Sequence, residues 1–380
     1  MKPTKAQKII SSLAIFKDLR IATKSKQNYA DLAGDVYAKT GGNFTKYVAD
    51  LVLNDENPHL KTLSEGRDVS KALEKRTTRE LEMIQELLDL DGSSIRKIFA
   101  KQANPKLPKL KTEKIDIAKL YNEQAENLKT QGYGIYKNHI MFRLGMFGDI
   151  EPISNPDNVN LSSLVKYESE REQIISNTIA LLNDKPAQNV LLTGDAGTGK
   201  SSSIKAIVNE FADQGLRIVQ VKKDEIFLIP SLTEKLAKLP LKFIIFIDDI
   251  SFSSDDENYS DMKMLLEGSL SMQPRNVVIY ATSNRRHIVK EKFADRNGDE
   301  IHVNDAIQEM VSLSERFGLR VNFSKPNKDT YLAIVNSLAK EYDLQIEQDE
   351  LFAQAEQFAI LNGGRSGRLA RQFVEQISIS

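Results

Sequence analysis

The sequence predicts an α/β protein in three parts: an all-helical region over 1–150, an α/β core over 151–325 with a five-stranded, mostly parallel sheet, and a small helical domain over 326–380. Three observations carry this reading. A glycine-rich turn, Gly194-Asp195-Ala196-Gly197-Thr198-Gly199-Lys200-Ser201, stands between an apolar run and an apolar pattern at helical spacing. From about residue 160, strand-like and helix-like segments alternate, which marks a parallel sheet flanked by helices. Before that point, and beyond Pro326, only helical periodicity is present.

Taken in order, the first hundred residues read as short amphipathic helices. Ile9, Ile10, Leu13 and Phe16 form one apolar stripe, and Leu32, Val36 and Tyr37 belong to a second. Gly41-Gly42 marks a turn, after which Phe44, Tyr47, Val48, Leu51 and Leu53 resume the pattern. Residues 78–90 carry Leu81, Ile84, Leu87 and Leu88 on one face, and Asp91-Gly92 ends the run. The stretch 101–114 changes character, because Pro105 and Pro108 break regularity and Lys101, Lys106, Lys109, Lys111 and Lys114 crowd together. Without interleaved aromatics for base stacking, it reads as a solvated linker in preference to a nucleic-acid contact. A helix is expected over 115–128. The aromatic and glycine-rich connection from Gly132 to Phe147 has no role legible in the sequence, and Asn155-Pro156-Asp157 is a turn opening the next domain.

The core strands announce themselves by composition. Val190-Leu191-Leu192-Thr193 precedes the glycine turn, and Ile204, Ile207, Val208 and Phe211 come after it at helical spacing. Arg217-Ile218-Val219-Gln220-Val221 is a second strand, followed by a helix near 231–239. Phe243-Ile244-Ile245-Phe246-Ile247 is apolar throughout, as expected of a central strand buried on both faces. A helix around 262–270 leads to Val277-Val278-Ile279-Tyr280-Ala281, and Leu319-Arg320-Val321-Asn322-Phe323 supplies the fifth strand. Helices near 329–342, 349–361 and 366–377 complete the chain.

Composition excludes several chemistries. With no cysteine, thiolate catalysis, disulfides and zinc–thiolate sites are absent, and His59, His139, His287 and His302 are too scattered to suggest a metal site. No run of eighteen apolar residues is present, and the N-terminus lacks a signal peptide's continuous apolar core, so a cytoplasmic protein is expected. Charge is uneven. Residues 1–150 carry 26 Lys/Arg against 19 Asp/Glu, a difference of +7, whereas 151–380 carry 26 against 34, a difference of −8. The imbalance suggests an acidic partner for the N-terminal half without choosing among nucleic acid, another protein and a neighbouring subunit.

The glycine turn matches Gly-x-x-x-x-Gly-Lys-Ser/Thr, the loop that cradles a nucleotide's phosphates. Its glycines let backbone N–H groups converge on an anion, and the helix after it adds positive potential. Residues Gly194 through Ser201, with Ser202 after them, are therefore the nucleotide-binding candidates. Lys200 is placed on the β- and γ-phosphates, and the Ser201 hydroxyl on Mg²⁺. Asp248-Asp249 ends the most apolar strand, where an open α/β sheet presents its ligand. Asp248 is assigned to the magnesium shell and Asp249 to polarising the attacking water, the alternative being an N-cap at the start of the next loop. Asn284, at the tip of the neighbouring strand in Thr282-Ser283-Asn284, is placed to hold the same water or a γ-phosphate oxygen.

The order of phosphate loop, Asp-Asp strand, Asn-tipped strand, Ser314-Glu315-Arg316-Phe317-Gly318-Leu319 and terminal helices resembles an AAA+ ATPase, from about residue 160 to the end. The aspartate pair is similar to the replication-initiator and helicase-loader branch. More closely, Ile247-Asp248-Asp249-Ile250-Ser251-Phe252, Leu266-Glu267-Gly268-Ser269-Leu270 and Tyr280-Ala281-Thr282-Ser283-Asn284-Arg285-Arg286-His287 resemble a family of bacterial ATP-binding proteins labelled a domain of unknown function. The resemblance implies ATP and Mg²⁺ as ligands, a homo-oligomer with composite sites, and a helical lid over 326–380. It implies that Arg316 is a finger offered to a neighbouring subunit's γ-phosphate, and that Arg368 is the lid arginine reaching back to its own nucleotide, with Arg365 and Arg371 as alternatives. Tyr167 sits where this class grips adenine, and a packed core tyrosine is the competing reading. Asp255-Asp256-Glu257 reads as a solvated loop, and His287 has no assigned role.

Two functions are consistent with these residues. One is an oligomeric ATPase that remodels or loads a macromolecular partner held by the N-terminal helices. The other is a nucleotide-gated binding module with little turnover, favoured by the shorter Asp249 where many of the class have glutamate. Direct DNA binding is the weaker expectation, since the chain reads as ending at the lid and no helix has a dense basic face.

Overall fold

The computed structural model describes residues 5–24, 29–99, 108–145, 147–250, 252–253, 257–267, 274–284, 289–290 and 314–379. The expectations placed on 101–107, 255–256, 268–270 and 285–287 lie outside the described residues. The chain forms two compact units, one of residues 1–138 with 238–241 and one of 139–237 with 242–380. By this division the main span of the helical unit ends at Asn138.

In the helical unit the stripe Ile9–Phe16 runs out of the helix Lys5–Ser12 into the connection before the helix Lys17–Lys24, where Leu13 and Phe16 lie. The break has a distant cause. Glu80, fully buried on the helix Lys71–Leu88, accepts the backbone N–H groups of Ala14 at 2.7 Å, Ile15 at 2.8 Å and Phe16 at 3.3 Å. Its other contact is Arg76 Nε, which donates at 2.6 Å. A carboxylate supplied from the adjacent helix satisfies donors that a continuous helix would have used internally. Phe16, Leu32, Phe44, Val48, Ile84 and Tyr121 are buried in the common core, as their helical spacing predicts.

The strands of the second unit are β1 (Met141–Leu144), β2 (Ile150–Pro152), β3 (Val190–Gly194), β4 (Leu216–Val221), β5 (Lys242–Ile247), β6 (Phe252–Ser253), β7 (Val277–Ser283), β8 (Val289–Lys290) and β9 (Leu319–Phe323). Seven of them form one sheet in the order β2-β1-β4-β5-β7-β3-β9, and the pair β6 and β8 stands apart. All neighbours in the large sheet are parallel except β1 and β2. The five expected strands form its centre and one edge. Two more come from around the unassigned connection, where Met141–Leu144 joins β4 in parallel and a short turn returns Ile150–Pro152 as an antiparallel edge. Strands this short carry too little alternation to be read from sequence. β5 and β7 are buried at every residue, as continuous apolar runs require.

Parallel neighbours need crossovers, and helices supply them: Lys200–Glu210 comes after β3, Ile229–Ala237 leads to β5, and Glu257–Glu267 lies between β5 and β7. Beyond β9, the helices Lys328–Glu341, Gln348–Leu361 and Gly367–Ser378 pack around Tyr331, Val335, Ala355 and Phe373. Among the described residues no helix is long and apolar enough to cross a membrane.

Candidate nucleotide-binding site

The phosphate loop leaves the carboxyl end of β3 and runs into the helix Lys200–Glu210. Gly194, Gly197 and Gly199 all have positive φ, of 139°, 77° and 93°. Two of them are also required by close approach. A Cβ on Gly194 would overlap the carbonyl of Phe323 on β9, and one on Gly197 would stand 3.0 Å from Arg368 Cβ. The second contact belongs to the lid: Gly367 N–H donates to Gly197 O at 2.8 Å. The helix Gly367–Ser378 begins there, capped by Ser366 Oγ accepting from Leu369 N at 3.2 Å.

Lys200 is buried at 5% exposure. Its Nζ donates to Gly194 O at 2.7 Å, Asp195 O at 2.8 Å and Asn284 Oδ1 at 3.0 Å. Burial pushes its pKa down, Asp249, Asp195 and Asp248 push it back up, and the positive charge of Arg368 lowers it. One lysine thus stands among three carboxylates at the mouth of the loop. Thr198 Oγ1 donates to Asp195 O at 3.0 Å, closing the loop on itself. Asp195 and Ala196 are exposed at its apex, and Ser202 is half-buried beyond Ser201.

The tips of β5 and β7 meet this loop through one chain of hydrogen bonds. Ser201 Oγ and Thr282 Oγ1 each donate to Asp248 Oδ1 at 2.6 Å. Thr282 Oγ1 in turn accepts the N–H of Asp249 at 2.9 Å, and Thr282 O accepts that of Ile250 at 2.7 Å. Asn284 Nδ2 donates to Asp249 Oδ1 at 2.7 Å. The chain therefore runs Ser201, Asp248, Thr282, Asp249, Asn284, Lys200. Asp249 holds φ at 55°, a left-handed conformation uncommon for a residue with a Cβ. It turns the backbone sharply just after β5, and Thr282 holds that turn by three bonds. Thr282 was not a candidate from the sequence. Its role depends on β7 lying beside β5 with Ala281 opposite Ile247, a register no local pattern reveals.

Tyr167 reaches the same edge from another side. Its hydroxyl donates to Ser324 O at 2.6 Å, and its ring tilts against Phe323 with centroids 5.3 Å apart. Burial pushes its pKa up to about 12, with Glu170 and Asp195 adding to the rise. Lys166 and Tyr167 both have positive φ, of 64° and 62°. This turn is braced by Arg171, a buried residue that sequence reasoning missed, whose guanidinium donates to Lys166 O and, at 2.9 Å, to Leu164 O.

The arginines separate clearly. Arg365 is bound to Glu356 by two bonds of 2.8 and 2.6 Å within the C-terminal helices, and Arg368 is exposed and lies next to Gly197 of the loop. Arg316 is half-buried and lies just before β9. Leu319 pairs with Val190 and Phe323 with Gly194, so Arg316 belongs to the end of the sheet opposite the phosphate loop, roughly 13 Å away along the strand. The structure does not bring it to the other candidates.

The donor set suits a hard divalent cation. Ser201 and Asp248 offer a hydroxyl and a carboxylate side by side, and Mg²⁺ is held through one or two carboxylates together with substrate phosphates and water. Among the described residues no group of three His, Asp or Glu side chains could form an all-protein cage.

A phosphate-loop turn on β3, flanked by β7 and β9 with carboxylates at the tip of β5, defines an α/β domain with a mostly parallel sheet built around a P-loop motif. The chain belongs to the family described as "Protein of unknown function (DUF815)", whose profile matches residues 137–380. Among solved structures it is similar to the FIGL-1 AAA domain in complex with ADP, with 18% identity, coverage of 59% of this chain and 74% of that one, and a TM-score of 0.41. No curated protein matches it.

Proposed function

We infer that the protein binds ATP with Mg²⁺ and hydrolyses it to ADP and phosphate in a homo-oligomer, using the cycle to remodel or load a macromolecular partner. The observation that supports this best is the continuous hydrogen-bond chain from Ser201 to Lys200 through Asp248, Thr282, Asp249 and Asn284. It gathers Lys200, the Ser201–Asp248 pair and the Asp249 carboxylate at one end of the sheet, groups whose chemistry suits a phosphate, a divalent cation and a water.

Lys200 and the backbone N–H groups of 195–201 bind the phosphates, and Ser201 and Asp248 would hold the cation, which would supply charge neutralisation to the phosphates. Asp249 orients a water and draws on its proton as the water oxygen bonds to the γ-phosphorus. The bond from that phosphorus to the bridging oxygen breaks, leaving ADP. Asn284 fixes the direction of the Asp249 carboxylate. Tyr167 packs against the base, Arg368 contacts the nucleotide from the lid, and Arg316 completes the site of a neighbouring subunit. The N-terminal helices hold the partner.

A second reading, a nucleotide-gated binding module, draws on Asp249 itself. Its short side chain is already paired with Asn284, an arrangement suited to sensing occupancy with little turnover. Steady-state ATPase measured over a range of protein concentrations separates the two. Specific activity that climbs with assembly supports the enzyme; negligible turnover at every concentration, with nucleotide bound, supports the module.

A further inference from the structure

Residues 96–114 include seven basic side chains and a single acidic one, Glu113. The described part of this stretch is no free linker. Lys111 N–H donates to Gly42 O and Phe44 N–H donates to Lys111 O, both at 2.9 Å. The Tyr29 hydroxyl donates to Pro108 O at 2.8 Å, and Thr45 Oγ1 accepts Glu113 N–H at 2.9 Å. Gly92 lies so close that a Cβ there would overlap the Leu110 carbonyl.

Pinned this way, the strap buries Leu110 and leaves Lys109, Lys111 and Lys114 exposed. Lys46, exposed in the first turn of the helix Phe44–Leu53, stands beside it, since its N–H is bound by Asn43, the bridge partner of Lys111. None of the four lysines makes an ion pair with a described residue, and the acidic Glu113 accepts a hydrogen bond from Asn43 Nδ2 at 2.8 Å.

We propose that this strap docks the phosphate backbone of duplex DNA. Four exposed lysines on and beside one pinned strap complement a polyanion, and backbone binding needs no more than charge held in place. A single strand is a poorer fit, because stacking platforms use successive aromatic rings and among the described residues the one exposed ring beside the strap is Tyr37, which lies against Gly42. A lipid surface is also a poorer fit, since lasting membrane attachment takes an apolar or acyl anchor besides a basic patch. The inference is independent of the nucleotide site.

The test is fluorescence anisotropy of a labelled DNA duplex with the full chain, without nucleotide, over a salt series. Four phosphate contacts give a slope of log K against log salt near about −3.6, a loss of roughly 150-fold between 50 and 200 mM salt. Removing three lysines together, by Lys46→Ala, Lys111→Ala and Lys114→Ala, brings the slope to about −0.9, a loss of roughly 3.5-fold over the same range. Lys109→Ala, which touches no backbone bond of the strap, lowers the slope by about 0.9 and keeps the test valid if the triple variant unfolds. Lys340→Ala in the lid leaves the slope unchanged. The proposal is overturned by absence of binding at 50 mM salt, by a slope indifferent to the strap lysines, by tighter binding to the single strand, or by binding to anionic vesicles alone.

Discussion

Asp249 Oδ1 accepts the amide of Asn284 at 2.7 Å, across the boundary between β5 and β7. The two residues come from neighbouring strand tips, and the oxygen of the same amide accepts from Lys200 at 3.0 Å. Because Lys200 can only donate, it fixes which end of the Asn284 amide faces Asp249. The carboxylate is thereby aimed by the phosphate loop's own lysine.

Asp249→Asn tests that carboxylate. The new side chain keeps its shape and can still accept from Asn284, but it cannot polarise water as an ionised carboxylate does. ATP affinity is expected to stay within a few-fold of the wild type while turnover falls by 10²-fold or more, on the order expected for a lost general base. Normal turnover in this variant would move the catalytic role to another residue.

Lys200→Ala removes the buried cation. At ATP–Mg²⁺ about a hundred times its dissociation constant, the wild type gains roughly 2.7 kcal/mol of stability by linkage, and the variant gains almost none. Thermal denaturation with and without nucleotide reads this directly. Equal shifts in the two proteins would sink the nucleotide-binding assignment.

The contrast between Lys200 and Thr282 shows what the sequence could carry. Gly194 to Ser201 is legible because phosphate binding is local: spacing along one loop decides it. The Asp248–Asp249 pair and Asn284 are legible as polar residues at the ends of apolar runs. Thr282 and Arg171 are not, since each acts through backbone groups whose position depends on strand register or on a left-handed turn. Glu80 is harder still, because the N–H groups it serves lie more than sixty residues away. β1 and β2 escaped notice because three or four residues carry too little periodicity.

Asp55 gives a pH signature to the helical unit. Burial pushes its carboxyl up to about 6, despite the Asp18 N–H that it accepts at 2.8 Å. In the unfolded chain the group titrates near its ordinary value of about 3.9. Between these values the folded state holds the extra proton, so the contribution of Asp55 to stability falls as pH rises from about 4 to about 6, by at most about 1.4 kcal/mol per pH unit. Asp55→Asn mimics the protonated form and keeps an oxygen for Asp18. Its stability relative to the wild type is expected to rise through that window and to stay higher at pH 7.5. Chemical denaturation of both proteins at several pH values checks this, and a variant less stable than wild type at pH 7.5 contradicts it.

Arg316 carries the claim about assembly. It sits before the amino end of β9, while the phosphate loop sits at the carboxyl end of β3, with Leu319 opposite Val190 and Phe323 opposite Gly194. An arginine side chain does not span that distance, so a role at a nucleotide must be at a neighbour's. Arg316→Ala is then expected to bind ATP in its own pocket about normally, yet to hydrolyse it slowly, with a loss approaching the 10³–10⁵-fold scale of arginine fingers. Mixing it with Lys200→Ala should restore part of the activity, because the second variant has no functional pocket but retains Arg316. In a mixed assembly, a subunit with an intact phosphate loop can sit beside a subunit with an intact finger. If co-assembly is confirmed and the mixture is no more active than the two variants apart, Arg316 serves the fold alone. Turnover by a dilute wild-type monomer equal to that of the assembly leads to the same conclusion, because a finger offered in trans has no target in a lone subunit.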